Sequence, residues 1–248
     1  MSAVPLEVVK GLPESSPLPN VQLNRNIRGL GPSATLAINE RSAELQRKGH
    51  SICRMGLGQS PFPVPNSVID SLRTNAHQKD YLPVRGLEAL RHAVAAYHSR
   101  VNGVERDQDD VLIGPGSKEL MFILQMAFQG DLLVPSPSWV SYTPQAHILG
   151  RKFHWIQTRK ENGWRLQADE LDAACARDPG RPRILILNYP SNPLGVTYGE
   201  SDLRDLAEVA RRYRLVVLSD EIYGELHYHG GHQSIARFYP EGSIISSG

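Results

Sequence analysis

Arg183-Ile184-Leu185-Ile186-Leu187-Asn188-Tyr189-Pro190-Ser191-Asn192-Pro193-Leu194-Gly195, followed by Leu215-Val216-Val217-Leu218-Ser219-Asp220-Glu221-Ile222-Tyr223, decides the fold. Each half is a short apolar run that ends in polar residues, and a helix-length segment separates the two. Aliphatic runs without alternation read as strands buried on both faces, as in a parallel sheet. Open parallel sheets bind ligands outside the carboxyl ends of their strands. Here those ends carry an Asn, an Asp and a Tyr, so the chemistry is expected there.

Working outward, Glu200 to Arg212 predicts a helix with Leu203, Leu206, Ala207 and Ala210 facing inward. Upstream, Leu132–Val134, Phe153–Ile156 and Val111–Ile113 read as strands, and Ser141–Leu149 and Ala168–Ala176 as helices. Gly114-Pro-Gly-Ser117 turns into a helix that runs to about Phe128. Leu87, Leu90, Val94, Tyr97 and Val101 recur at three- and four-residue spacing, the pattern of an amphipathic helix. Asn66 caps a helix to about His77, and Asn39–Lys48 reads as a polar helix stopped by Gly49. Downstream, Ser243–Ser247 begins one more strand. Residues 1 to about 35 are rich in Pro and Gly and read as an extended arm. The sum is an α/β protein with a three-layer, doubly wound, mostly parallel sheet. A boundary near residue 60 separates it from a less regular first segment.

Composition excludes several function classes. With 27 basic and 26 acidic residues, the chain has neither a nucleic-acid footprint nor a polybasic membrane surface. Cys53 and Cys175 lie far apart, which suits a reducing compartment. The first residues lack the basic and apolar regions of a signal peptide, and no stretch approaches the ~20 apolar residues of a membrane span. These features predict a soluble, cytoplasmic protein.

Individual constellations each carry two readings. Gly114-Pro-Gly-Ser-Lys-Glu stands where a strand turns into a helix, and free N–H groups there attract phosphate; a plain glycine turn is the alternative. The spacing matches neither a P-loop nor the dinucleotide fingerprint, because Glu119 stands where the third glycine would be. Asp220 ends a buried strand, and its carboxylate needs a cation or donors there. A protonated ring nitrogen, a metal or an Arg would serve, as would a structural salt bridge or helix cap. Glu221 reads as structural, and Tyr223 either joins the same ligand or packs. Asn192 is either a ligand donor or an Asx-turn, Trp139 a stacking platform or a core plug, and Tyr81 a loop tyrosine. His227, His229 and His232 flank Gly230-Gly231 and read as a flexible polar hairpin rather than a metal site.

Taken in order, five stretches resemble the fold-type I pyridoxal-phosphate (PLP) aminotransferases of class I/II. They are Lys-Asp-Tyr81-Leu-Pro-Val-Arg-Gly86, Gly-Ser-Lys118, Pro-Ser-Pro-Ser-Trp139-Val-Ser-Tyr142, Asn-Tyr-Pro-Ser-Asn192-Pro-Leu-Gly195 and Ser-Asp220-Glu-Ile-Tyr223. The resemblance covers roughly residues 50–248. It implies pyridoxal 5′-phosphate as cofactor, with an amino acid and a 2-oxo acid as substrates. Asp220 would pair with the pyridine nitrogen, Asn192 and Tyr223 with the phenolic oxygen, and Trp139 with the ring face. Gly116, Ser117 and Lys118 would contact the phosphate. Tyr81 would reach the neighbouring subunit's phosphate in a homodimer, and Gly58 would lie near the substrate carboxylate. Residues 1–60 would be an arm and small-domain segment, and residues 61–248 an incomplete cofactor-binding large domain.

Two departures stand out: Leu194 replaces the family's usual Thr, and Gly58-Gln59-Ser60-Pro61 replaces Gly-Glu-Pro. The family's Schiff-base lysine follows the strand begun by Ile244. The resemblance thus implies that this lysine lies beyond Gly248, and that the chain as written is an N-terminal part without transaminase activity. None of Lys10, Lys48, Lys79, Lys118, Lys152 and Lys160 takes its place. Other fold-type I chemistries stay open, such as a carbon–sulfur lyase or an elimination like that of ACC synthase. So does a catalytically dead relative that acts as a binding or dimerisation partner. A plain nucleotide-binding α/β domain ranks behind these, since the glycine fingerprint is missing.

Overall fold

The aliphatic runs form one sheet with a helix layer on each side. The structure, a computed structural model, describes residues 22–31, 33–56, 58, 60–228 and 230–247. Its helices are α1 (Ala34–Arg47), α2 (Asn66–Asn75), α3 (Glu88–Asn102), α4 (Ser117–Ala127), α5 (Tyr142–Ile148), α6 (Ala168–Ala176) and α7 (Glu200–Arg212). Its strands are β1 (Asp131–Ser136), β2 (Phe153–Gln157), β3 (Arg183–Asn188), β4 (Val216–Asp220) and β5 (Ser243–Ser246). They pair in parallel in the order β2-β1-β3-β4-β5. The chain passes from β1 outward to β2 and then returns across β1 to β3. The β1/β3 junction is therefore the point at which the strand order reverses, where a parallel sheet opens a crevice.

Side chains alternate across a pleated strand, and here the two sets enter different cores. Leu133, Leu185, Leu187 and Val217 pack with Leu171, Cys175, Leu203, Leu206, Ala207 and Ala210 of α6 and α7. Leu132, Val134, Ile184, Ile186 and Leu218 pack on the other face with Met121 of α4 and Tyr142 and Ala146 of α5. This explains why β3 shows no polar alternation in sequence: both of its faces are covered. Helix α7 has the predicted ends, with Glu200 and Asp202 in its first turn and Arg211 and Arg212 in its last, the charge order that the helix dipole favours.

The amino ends of the strands are closed by polar pairing. Asp131 accepts from Arg181 at 2.8 and 3.1 Å and lies 3.0 Å from His154 Nε2. The Arg151 guanidinium donates to the carbonyls of Gln125, Phe128 and Gly130.

Three expectations change. Asn66 is not the cap of α2: it is the first helical residue, and Pro65 takes the cap position with no side-chain cap bond. Val111–Ile113 forms no strand: its backbone link is a 3.0 Å bond from Ile113 N–H to the Arg85 carbonyl. A strand exists only through a ladder. An apolar cleft of about 1150 Å³, lined by Val111–Ile113 on one side and Ile244 and Ile245 on the other, stands between this segment and β5. Helix α1 begins at Ala34 rather than Asn39. Leu36 and Ile38 are each 54% exposed, so no apolar stripe marks its first turn. Residues 1–21, Gln59, His229 and Gly248, on which parts of the sequence reading fall, lie outside the described residues.

Leu185, fully buried between β1 and β4, offers a direct test of the double-sided core. Leu185→Ala is expected to lower unfolding free energy by about 2–5 kcal/mol in urea titrations. Leu82→Ala, in an exposed loop, should change it by less than about 0.5 kcal/mol.

Candidate active site

Asp220 ends β4 and is 2% exposed. Its Oδ2 accepts from the Tyr142 hydroxyl at 2.5 Å, and its Oδ1 lies 3.4 Å from the Ile222 N–H. Burial pushes this carboxyl above the usual range; the Tyr142 hydroxyl and the Ile222 N–H pull against that, and the neighbouring Glu221 adds to it. No cationic side chain among the described residues opposes the burial. The Tyr142 phenol is itself driven far up, first by burial and then by the Asp220 charge and their hydrogen bond, with Tyr223 adding to the push. Tyr142 therefore serves as a neutral donor that fixes one oxygen of Asp220.

Asn188, in register with Asp220 across the β3–β4 ladder, donates from Nδ2 to the Asp220 carbonyl at 3.0 Å. Its Oδ1 accepts the Asn192 N–H at 2.7 Å. The turn after β3 is thus tied to the end of β4, and the Asn192 side-chain amide takes up none of these bonds. Trp139, half-buried after β1, meets Tyr142 edge-on, with centroids 5.2 Å apart and planes at 80°. The Lys118 ammonium stands 5.0 Å from the Trp139 ring centroid.

Helix α4 begins at Ser117 behind Gly116, whose φ of 137° favours a residue without Cβ. Glu119 and Leu120 both donate back to the Gly116 carbonyl, so the first-turn N–H groups of Ser117 and Lys118 remain outside the helix ladder. Gln145 of α5 donates to the Lys118 carbonyl at 2.8 Å and accepts from buried Gln125 at 2.9 Å. This amide chain fixes the start of α4 against α5, the helix that also carries Tyr142.

Most of the predicted residues thus converge: Lys118, Trp139, Asp220 and Asn192 are linked through Tyr142 and Asn188, with Gly116 and Ser117 at the adjoining helix start, whereas the Tyr223 side chain makes no hydrogen bond among the described residues and is felt only in the push on the Tyr142 phenol. Tyr81 and Gly58 do not join them: both are exposed, and a Cβ at Gly58 would meet nothing within 4 Å. The sequence reading passed over Tyr142, Asn188 and Gln145. A phenol three residues beyond Trp139, at the first position of α5, was the available signal. The histidine reading is corrected: the His232 side chain is 6% exposed and held 2.8 Å from Glu221 rather than lying in a flexible hairpin. No group of three or more His, Cys, Asp or Glu among the described residues could hold a metal ion.

The family model for aminotransferase class I and II matches residues 51–245. This chain belongs to that family. It is 32% identical over 227 residues to the aspartate aminotransferase of Geobacillus stearothermophilus, covering 89% of this chain and 57% of that protein. It is 32% identical over 231 residues to the aspartate/prephenate aminotransferase of Thermus thermophilus, covering 91% and 59% respectively. Among solved structures, aspartate aminotransferase from Thermus thermophilus with maleate superposes with a TM-score of 0.86 at 31% identity, over 92% of this chain and 60% of that one. The chain therefore spans under two thirds of the length of these relatives.

The donor set fits the cofactor of this family. A buried carboxylate without a cation suits a protonated pyridine nitrogen, an unladdered helix start with a Ser hydroxyl suits a phosphate, and Trp139 offers a flat face.

Asp220 also makes a stability forecast. Burial raises its folded-state pKa, so between the usual carboxylate range and the raised value the folded chain holds a proton that the unfolded chain has released. Ligand-free stability must then fall as pH rises through that window. Asp220→Asn is expected to remove this fall, and Tyr142→Phe to extend it to higher pH. Thermal unfolding midpoints measured across pH decide it; parallel curves for all three proteins would refute the assignment.

Proposed function

We propose that this chain carries the pyridoxal 5′-phosphate site of an aminotransferase that moves an amino group from an amino acid to a 2-oxo acid. The observation that carries the proposal is Asp220: a buried carboxylate held by a phenol and a backbone N–H, and aligned without a counter-cation. Such a group is costly unless a ligand brings the positive charge. When bound, the cofactor supplies an electron sink for the electron pair left at the substrate's α-carbon.

The chain's own residues bind and orient. Asp220 holds a proton on the ring nitrogen, with Tyr142 keeping its carboxylate in line. Asn192 and Tyr223 donate to the phenolic oxygen, and Trp139 covers a ring face. Gly116, Ser117 and Lys118 take the phosphate, with Ser117 and the α4 start as the principal donors. We assign Gly58 to the substrate carboxylate and Tyr81 to the phosphate of a partner subunit in a homodimer. Exposed Met55, Phe62, Tyr81, Leu82 and Val84 on neighbouring stretches of sequence support an interface there. The names of the relatives support aspartate as the first amino donor to test. We divide the chain into an arm and small-domain segment, residues 1–60, and a large-domain part, residues 61–248.

Both cysteines are free, which supports a cytoplasmic setting; no helix among the described residues is long and apolar enough to cross a membrane. Lys118 is the described lysine that borders the site, and its ammonium lies over Trp139. Lys48 and Lys79 sit in exposed ion pairs elsewhere. We therefore propose that the chain as given has no covalent anchor for the cofactor and does not sustain amino transfer.

Titration with pyridoxal 5′-phosphate, followed by its absorbance, tests the site. Saturable binding is expected, weakened about tenfold to a hundredfold in Asp220→Asn, the worth of a hydrogen bond to a charged group. Equal affinity in the two proteins would refute the role of Asp220. Borohydride reduction followed by peptide mass mapping should give no stoichiometric single-site lysine adduct; one at Lys118 would overturn the anchor assignment.

A further inference from the structure

Two carboxylates follow one another at the end of β4, and they face opposite ways. Asp220 meets Tyr142 in the layer of α4 and α5, whereas Glu221, 5% exposed, enters a separate polar cluster. Glu221 Oε1 accepts from Ser219 Oγ at 2.7 Å and Ser234 Oγ at 2.6 Å, and the Tyr189 hydroxyl lies 3.3 Å away. Glu221 Oε2 lies 2.8 Å from His232 Nε2. His232 stacks on Tyr189, with centroids 5.3 Å apart.

The protonation of His232 decides the net charge of this cluster. Its Nδ1 is buried and has no hydrogen-bond partner among the described residues. A doubly protonated ring would leave an N–H donor stranded there, whereas a neutral ring with its proton on Nε2 strands only a lone pair. Unpaired buried donors are the rarer and more costly case, which assigns the Nε2–H tautomer. Glu221 is then an anion held by neutral donors only. The other ring that feels its charge, His98, is pushed down chiefly by burial, and the Tyr189 phenol is raised well above its usual value, again chiefly by burial. Tyr97 hydrogen-bonds Glu225 at the surface and brings no positive charge. Among the described residues, nothing in the cluster cancels the charge on Glu221.

We infer that Glu221 is a positioning residue of the candidate site, whose uncancelled charge acts with Asp220 to keep a bound pyridine nitrogen protonated. The inference rests on the proposed function. The charge that makes Asp220 harder to ionise when the site is empty also makes a cation beside Asp220 harder to deprotonate. Across one strand residue, at the effective dielectric of a protein site, the effect is on the order of one pH unit.

The test is titration of the chain with pyridoxamine 5′-phosphate, followed by the absorbance of the bound ring against pH. Glu221→Gln keeps the cluster satisfied without a change of tautomer, because its amide oxygen can accept from His232 Nε2–H while its NH2 donates to the Ser219 and Ser234 hydroxyl oxygens. His232→Lys cancels the charge and leaves the carboxylate in place, so it serves if the first variant fails to fold. Both should lower the pH at which the bound ring nitrogen loses its proton by about one unit. Ser234→Ala keeps the charge, removes one donor and should leave that midpoint in place. Unshifted midpoints in the first two variants would overturn the inference alone, as would an equal shift in Ser234→Ala. If the unaltered chain shows no saturable binding at all, the proposed function falls and this inference falls with it.

Discussion

The short bond between the Tyr142 hydroxyl and the Asp220 carboxylate is the contact on which the site depends. It joins β4 to α5 at the depth where water is excluded, and it turns a desolvated carboxyl from a liability into an oriented acceptor. A donor that stays protonated at any physiological pH is the right chemistry for this: a lysine would cancel the charge, and a histidine would make it titrate. Trp139 and Lys118 are then arranged around Tyr142, and Asn188 and Asn192 around the Asp220 backbone. Loss of that one contact would loosen both halves of the cluster.

The layered architecture makes such a contact possible. Because β3 and β4 are covered on both faces, successive residues at their carboxyl ends enter chemically different compartments. Asp220 and Glu221 exploit this, one held by a phenol beneath α5 and the other by two serines and an imidazole. The opposite end of the sheet is sealed by Arg181, His154 and Arg151 on carboxylate and carbonyl groups. Polar groups at the amino end satisfy one another, ion pair included, whereas at the carboxyl end the Asp220 carboxyl is buried with no cation opposing that burial among the described residues.

The central strands and α7 were legible in the sequence because burial on both faces, or on one stripe, leaves a direct pattern of aliphatic residues. Asp220, Asn192, Trp139 and Ser117 were legible as candidates because each stands where a strand or turn ends. Val111–Ile113 was misread because its three apolar residues look like a strand while pairing depends on a neighbour that local sequence does not report. Helix α1 was read short because its first turn has no buried face. The Tyr142–Asp220 and Glu221–His232 contacts were illegible for another reason. Their partners lie 78 and 11 residues apart, and a hydrogen bond over such separations is visible only after the chain has folded.

The order of the strands has a consequence for how the site behaves when the protein breathes. Among the described residues, β1, β3 and β4 are each laddered on both sides. Amide protons and side chains on doubly laddered strands are released only by larger openings than those at the margins. Asn188 and Asp220 project from doubly laddered strands, which open last. Local openings elsewhere in the chain can therefore leave the carboxylate, its phenol and the Asn turn in their geometry.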